Sequence, residues 1–168
     1  MRRLVTALLA FAVAVPAAAA TAPHVPIATF EQLAKPLPLP YDEQANAQTV
    51  VAAAKARAKA RHKLLLIDLG GNWCLDCRLL AGTMDLPQLQ KFIAANYEVA
   101  IVDVGRFNKN LDIPAHYGIK DRMEGVPSVL IVDPRTDKLI NQGRTAALAD
   151  ARSMTPQALA DWLAGWTK

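Results

Sequence analysis

Two cysteines occur in 168 residues, Cys74 and Cys77, with Leu75 and Asp76 between them. Thiols three positions apart suit disulfide exchange. One sulfur attacks as a thiolate, and the other resolves the mixed disulfide that forms. As a staple the pair would contribute little, because a bridge closing so short a loop hardly restricts the unfolded chain. A zinc site would need two more ligands, and neither His62 nor His116 stands at zinc-site spacing. Haem attachment would require a histidine directly after Cys77, where Arg78 stands. Cysteine-protease chemistry would need a base, and nothing positions His116 for that task. The reading therefore calls for no metal and no bound cofactor, only a redox-active Cys74–Cys77 disulfide.

The elements around the pair strengthen this reading. Leu64 to Leu69 is a nearly continuous apolar run interrupted by Asp68, as expected of a strand buried on both faces. Gly70-Gly71-Asn72 breaks it, and Trp73 to Leu80 reads as a turn opening a helix. Cys74 then sits where unpaired backbone N–H groups and the positive end of the helix dipole favour a thiolate. Cys77 lies one turn later and deeper. Cys74 is the expected attacker and Cys77 the expected resolver.

Elsewhere, 42–61 carries apolar residues at helical spacing, and 86–96 predicts another helix. Strands are expected at 98–104, 126–132 and 138–142, the last two as a hairpin, with a short helix near Pro114. Thr155-Pro156 is an N-cap and first-turn pair for a final helix reaching Trp166. Met84, Met123 and Met154 read as packing or loop residues, and Trp162 and Trp166 as core. The order predicts one three-layer α/β domain, a central mixed sheet of four to five strands with helices on both faces and the hairpin as its antiparallel edge.

Residues 1–20 have the build of a secretory signal peptide: Arg2-Arg3, an apolar stretch from Leu4 to Val15, and Ala18-Ala19-Ala20 as the cleavage pattern. Cleavage after Ala20 would lower the formal net charge from +4 to +2, which weakens any nucleic-acid reading. The apolar stretch is too short for a stable membrane anchor. Residues 21–41 hold five prolines (Pro23, Pro26, Pro36, Pro38 and Pro40) and are expected to be an extended arm or linker ahead of a domain at 42–168.

The segment Leu66-Ile67-Asp68-Leu69-Gly70-Gly71-Asn72-Trp73-Cys74-Leu75-Asp76-Cys77-Arg78 resembles the active-site region of the thioredoxin superfamily. Tyr117-Gly118-Ile119 and Gly125-Val126-Pro127-Ser128 resemble the approach to that family's cis-proline loop. In detail the chain is similar to exported thioredoxin-like domains such as the C-terminal domain of the periplasmic disulfide reductase DsbD. The resemblance implies a thioredoxin fold over about 42–166. It implies that Asp68 takes the Cys77 proton, although an acid at a strand end also caps turns. It implies that cis Pro127 turns the Val126 backbone toward a client chain. Trp73 reads equally as core or as a flat wall beside the dithiol.

Three departures bear on substrate and potential. Leu75-Asp76 is neither the Gly-Pro of thioredoxin nor the Pro-His of DsbA, so both residues tune the redox chemistry differently. Lys120 to Glu124 form an insertion, and Ala100-Ile101-Val102 stands where thioredoxins carry a strand lysine. With an anionic Asp76 beside it, Cys74 should be only moderately acidified. The expectation is an exported, periplasmic enzyme that reduces or isomerises disulfides in client proteins and is recharged by a membrane dithiol donor. The other readings are a thioredoxin-fold peptide-binding, chaperone-like module and a dedicated reductant for a single partner such as apocytochrome c.

Overall fold

The computed structural model describes residues 20–167. The expected signal peptide, all but Ala20, lies outside the described residues. The sheet is built from β1 (Leu64–Gly70), β2 (Tyr97–Asp103), β3 (Ser128–Asp133) and β4 (Lys138–Leu139), in the order β2-β1-β3-β4. β1 runs parallel to β2 and antiparallel to β3, with Leu66 opposite both Val99 and Ile131. The sheet is mixed, but β3 is central and only β4 forms the antiparallel edge. The expected hairpin therefore enters the middle of the sheet.

β1, β2 and β3 each feed two cores. Leu65, Ile67 and Leu69 point to one face with Ala100, Val102, Leu130 and Val132, under α1 (Ala47–Arg61). Leu66, Val129 and Ile131 point to the other, under α2 (Leu75–Met84), α3 (Pro87–Asn96) and α5 (Pro156–Ala164). A run buried on both faces is what such a central strand requires.

Several element ends differ from expectation for local reasons. α1 begins at Ala47 because the Asn46 side chain accepts from the Thr49 N–H and caps it. A five-residue α4 (Asp112–His116) starts two residues before Pro114. α5 ends at Ala164, short of Trp166. β4 stops after two residues because the Asn141 side chain takes over the ladder, its Oδ1 accepting from Ile131 N (2.9 Å) and its Nδ2 donating to Val129 O (2.8 Å). Trp162 and Trp166 are partly buried and pack edge-on against each other at 5.6 Å.

The proline-rich lead is the main correction. Residues 21–41 are not a linker: Val25, Phe30, Leu33, Leu37 and Tyr41 are all buried, the first four in the second core. A stretch this rich in proline lacks the N–H donors for a ladder, and side chains meet its remaining backbone groups instead. Arg78 donates to Leu37 O and Pro38 O at 3.0 and 3.2 Å, while Gln157 accepts from Val25 N at 3.0 Å and donates to Pro23 O at 3.2 Å. The lead is a clasp across α2 and α5, and it delivers Tyr41 to the centre of the molecule.

Candidate active site

Where β1 ends, Asn72 ties the turn to the clasp, its side chain accepting from Tyr41 N (3.1 Å) and donating to Tyr41 O (2.8 Å). Cys74 follows as the N-cap of α2, so its sulfur accepts the Cys77 N–H at 3.1 Å. Its thiol lies 3.3 Å from the Val126 carbonyl, and the Val126–Pro127 peptide is cis. Both cysteines are free thiols and both are buried, Cys77 completely.

The two sulfurs are driven apart in acidity. Hydrogen bonds from the Cys77 thiol and its N–H lower the Cys74 pKa, overcoming burial and the opposing charge of Asp76. Cys77 is pushed up because its proton is held by the Cys74 sulfur, and burial and the nearby Asp68 add to this. Burial raises Asp68 to about 7, against a hydrogen bond from Tyr41 that lowers it. That bond runs from Tyr41 Oη to Asp68 Oδ1 at 2.9 Å. Gly70 makes the approach possible: a Cβ there would run into the Tyr41 hydroxyl and lie 2.8 Å from Cys77 Sγ.

Asp76 turns the other way. Its carboxylate is buried and gripped by Arg152, whose backbone N–H and Nε donate to Oδ1 at 2.9 and 3.0 Å and whose Nη2 donates to Oδ2. Burial opposes ionisation here too, but the hydrogen bonds and charge of Arg152 outweigh it and hold Asp76 below the usual carboxylate range.

Trp73 and Leu75 flank the dithiol at the surface, each 44% exposed, so Trp73 is not core. The Trp73 indole is fixed by a bond from Nε1 to Gly105 O (2.8 Å), by Arg106 stacked 4.7 Å from the ring, and by Phe107 edge-on at 6.3 Å. Among the described residues no group of three or more His, Cys, Asp or Glu could hold a metal ion.

The thioredoxin-like family model matches residues 46–134. A crystal structure of a disulphide isomerase from Xylella fastidiosa Temecula1 is 39% identical over 76% of this chain and 96% of that chain, with a TM-score of 0.69. The chain belongs to the thioredoxin-like family. A protein of unknown function from Pseudomonas aeruginosa is 20% identical over 71% of this chain and 83% of that one, with a TM-score of 0.39. No curated protein matches.

Within this thioredoxin-like site the structure brings together Cys74, Cys77, Asp68, Val126 and the peptide bond to Pro127. It places Trp73 and Leu75 at the rim and turns Asp76 away toward Arg152. Two residues escaped the sequence reading. Tyr41 lies in a segment whose prolines concealed its packing, and Arg152 stands 76 positions from the carboxylate it binds. An unpaired acid between the cysteines was the one signal that called for a buried cation.

Proposed function

We propose that the chain is an exported thiol–disulfide oxidoreductase that reduces or isomerises disulfides in client proteins. The observation that carries this reading is the seating of the Cys74 sulfur at the N-terminus of α2, where it accepts the Cys77 N–H at 3.1 Å, with the second thiol fully buried behind it. This arrangement lowers the pKa of Cys74 and raises that of Cys77. The Val126 backbone lies against the attacking sulfur, which supports a client grip beside the chemistry. The similarity to a protein named as a disulphide isomerase supports the same class.

In the proposed cycle the Cys74 thiolate attacks one sulfur of a client disulfide, and the other client sulfur leaves as a thiolate. Cys77 then gives up its proton, with Asp68 as the final acceptor, and attacks Cys74 Sγ. The client leaves as a dithiol, and a Cys74–Cys77 disulfide remains. Isomerisation follows when, before Cys77 attacks, the released client thiolate attacks another client disulfide and the client thiolate freed there attacks the mixed disulfide, forming a new client disulfide and releasing Cys74 as a thiolate.

The enzyme works as a reductant or isomerase. A strong oxidant stabilises its reduced form through a very acidic nucleophile, whereas here burial and Asp76 both oppose the acidity of Cys74. Electrons come from a membrane dithiol donor. The signal-like residues 1–20 support export, and among the described residues no helix is long and apolar enough to cross a membrane. Equilibration with glutathione buffers tests the direction. A potential near roughly −270 mV fits, and one near roughly −120 mV overturns it. Insulin reduction that survives Cys74→Ser would favour a peptide-binding module instead, and a mature N-terminus at Met1 would refute export.

A further inference from the structure

Asp68 does not meet Cys77 alone. The Tyr41 hydroxyl donates to Asp68 Oδ1 at 2.9 Å, and the same hydroxyl crowds the space over Gly70 that Cys77 Sγ also fills. A hydroxyl that donates to a carboxylate keeps its lone pairs for another donor, and the Cys77 sulfur stands beside it, since a Cβ on Gly70 would run into the hydroxyl and lie 2.8 Å from the sulfur. The ladder neighbours of Asp68 are apolar: Ile101 on β2 and Val129 on β3. Of the titratable groups, Tyr41 from the clasp bonds Asp68 directly and Cys77 from α2 feels its charge.

We infer that Tyr41 relays the proton of the resolving step between Cys77 and Asp68, so that the N-terminal clasp is part of the redox machinery. This rests on the oxidoreductase reading. As Cys77 attacks, its S–H proton passes to Tyr41 Oη while the phenolic proton passes to Asp68 Oδ1. The new bond is Cys77 Sγ–Cys74 Sγ. The bond between Cys74 Sγ and the client sulfur breaks, and that sulfur leaves as a thiolate with the electron pair. Asp68 ends neutral and Tyr41 ends as it began. The phenol never carries a full charge, as its burial beside Asp68 and Cys77 demands, since these push its own ionisation far upward.

The geometry also explains three features of the sequence that the fold alone does not require. Gly70 must lack a side chain for the hydroxyl and the sulfur to converge. Asn72 holds the Tyr41 backbone from both sides, so the phenol enters at a fixed depth. The buried clasp supplies the anchorage that a free arm could not.

The test loads Cys74 with 5-thio-2-nitrobenzoate and follows its release, which reports Cys77 attack directly and needs no client protein. In the unaltered enzyme, release should rise with pH around a midpoint near 7, the value at which Asp68 titrates. Tyr41→Phe keeps the ring and its packing but removes the relay. Release should slow by roughly tenfold or more, and the midpoint should move up by about one pH unit because a bond to the carboxylate is lost. Tyr41→Phe combined with Asp68→Asn should be no slower than Asp68→Asn alone, since both interrupt one path. Difluorotyrosine at position 41 keeps packing and hydroxyl but strengthens donation to Asp68, and should move the midpoint down. Unchanged midpoints with both replacements, or effects of Tyr41→Phe and Asp68→Asn that multiply, overturn the relay. If the unaltered enzyme releases no nitrobenzoate, the oxidoreductase reading falls and the relay with it; normal release with an unaffected Tyr41→Phe profile removes the relay alone.

Discussion

Two buried carboxylates beside the dithiol behave in opposite ways. Asp68 and Asp76 are both nearly inaccessible. Asp68 meets a neutral phenol among apolar neighbours and is raised to about 7, whereas Asp76 meets a guanidinium and is lowered. Burial opposes charge at both, so the partner decides the outcome. An acid with a neutral partner can take and release a proton near neutral pH. An acid locked to Arg152 stays charged and acts as a fixed part of the frame. The cysteines divide along the same line, with Cys74 near the permanent charge and Cys77 near the exchangeable proton.

The division is most severely tested by removing the thiols one at a time. Cys77→Ser should accumulate covalent client adducts on non-reducing gels, while Cys74→Ser should form none and lose reductase activity. Adducts on Cys77 instead would reverse the roles.

Asp68→Asn comes next. It should slow nitrobenzoate release by about 10²–10⁴-fold and flatten its pH dependence near 7. Stability should change in the opposite sense. The folded chain holds the Asp68 proton to about pH 7 and the unfolded chain only to about 3.8, so the folded state binds more protons in between and loses stability as pH rises through that window. At pH 8 the Asn variant should be more stable by on the order of 2–4 kcal/mol in urea melts, and near pH 3.5 the gain should vanish, given the shift from 3.8 to about 7.

Arg152→Gln should lower the urea midpoint at pH 7, by less than Asp68→Asn raises it at pH 8, because the arginine is half exposed and water screens the pair. Asp76 is depressed in the folded state, so its contribution is present above 3.8 and lost as pH falls below that value. The variant should therefore show less acid-induced weakening in the same melts. Freed from its partner, Asp76 should also raise the Cys74 pKa, visible as a shift in the pH dependence of the thiolate's ultraviolet absorbance.

Trp73→Ala should have the smallest effect. The indole is half exposed and braced by Gly105 and Arg106, so its loss should leave nitrobenzoate release unchanged and weaken client reduction a few-fold, read as a higher KM.

Much of this could be read from local pattern. The apolar run of β1, the glycines after it and the cysteines at the helix start declare themselves within a short stretch, because each follows from nearest-neighbour backbone physics. The Val126–Pro127 turn was legible only through the resemblance. Tyr41 and Arg152 were not legible, because each acts on a group far away in sequence, and in Tyr41's case the surrounding prolines suggest a free chain. The short β4 has the same origin: a side-chain amide replaced backbone pairing, and no strand propensity records that substitution.

The clasp has a practical consequence for anyone dividing this chain. A fragment starting at Asp42 would keep every strand and α-helix of the described residues and both cysteines. It would also uncover the apolar ground of α2 and α5 where Phe30, Leu33 and Leu37 sit, and leave the Arg78 guanidinium without the Leu37 and Pro38 carbonyls. Such a fragment should be sticky and prone to self-association, and its failure to turn over would say nothing about the cysteines.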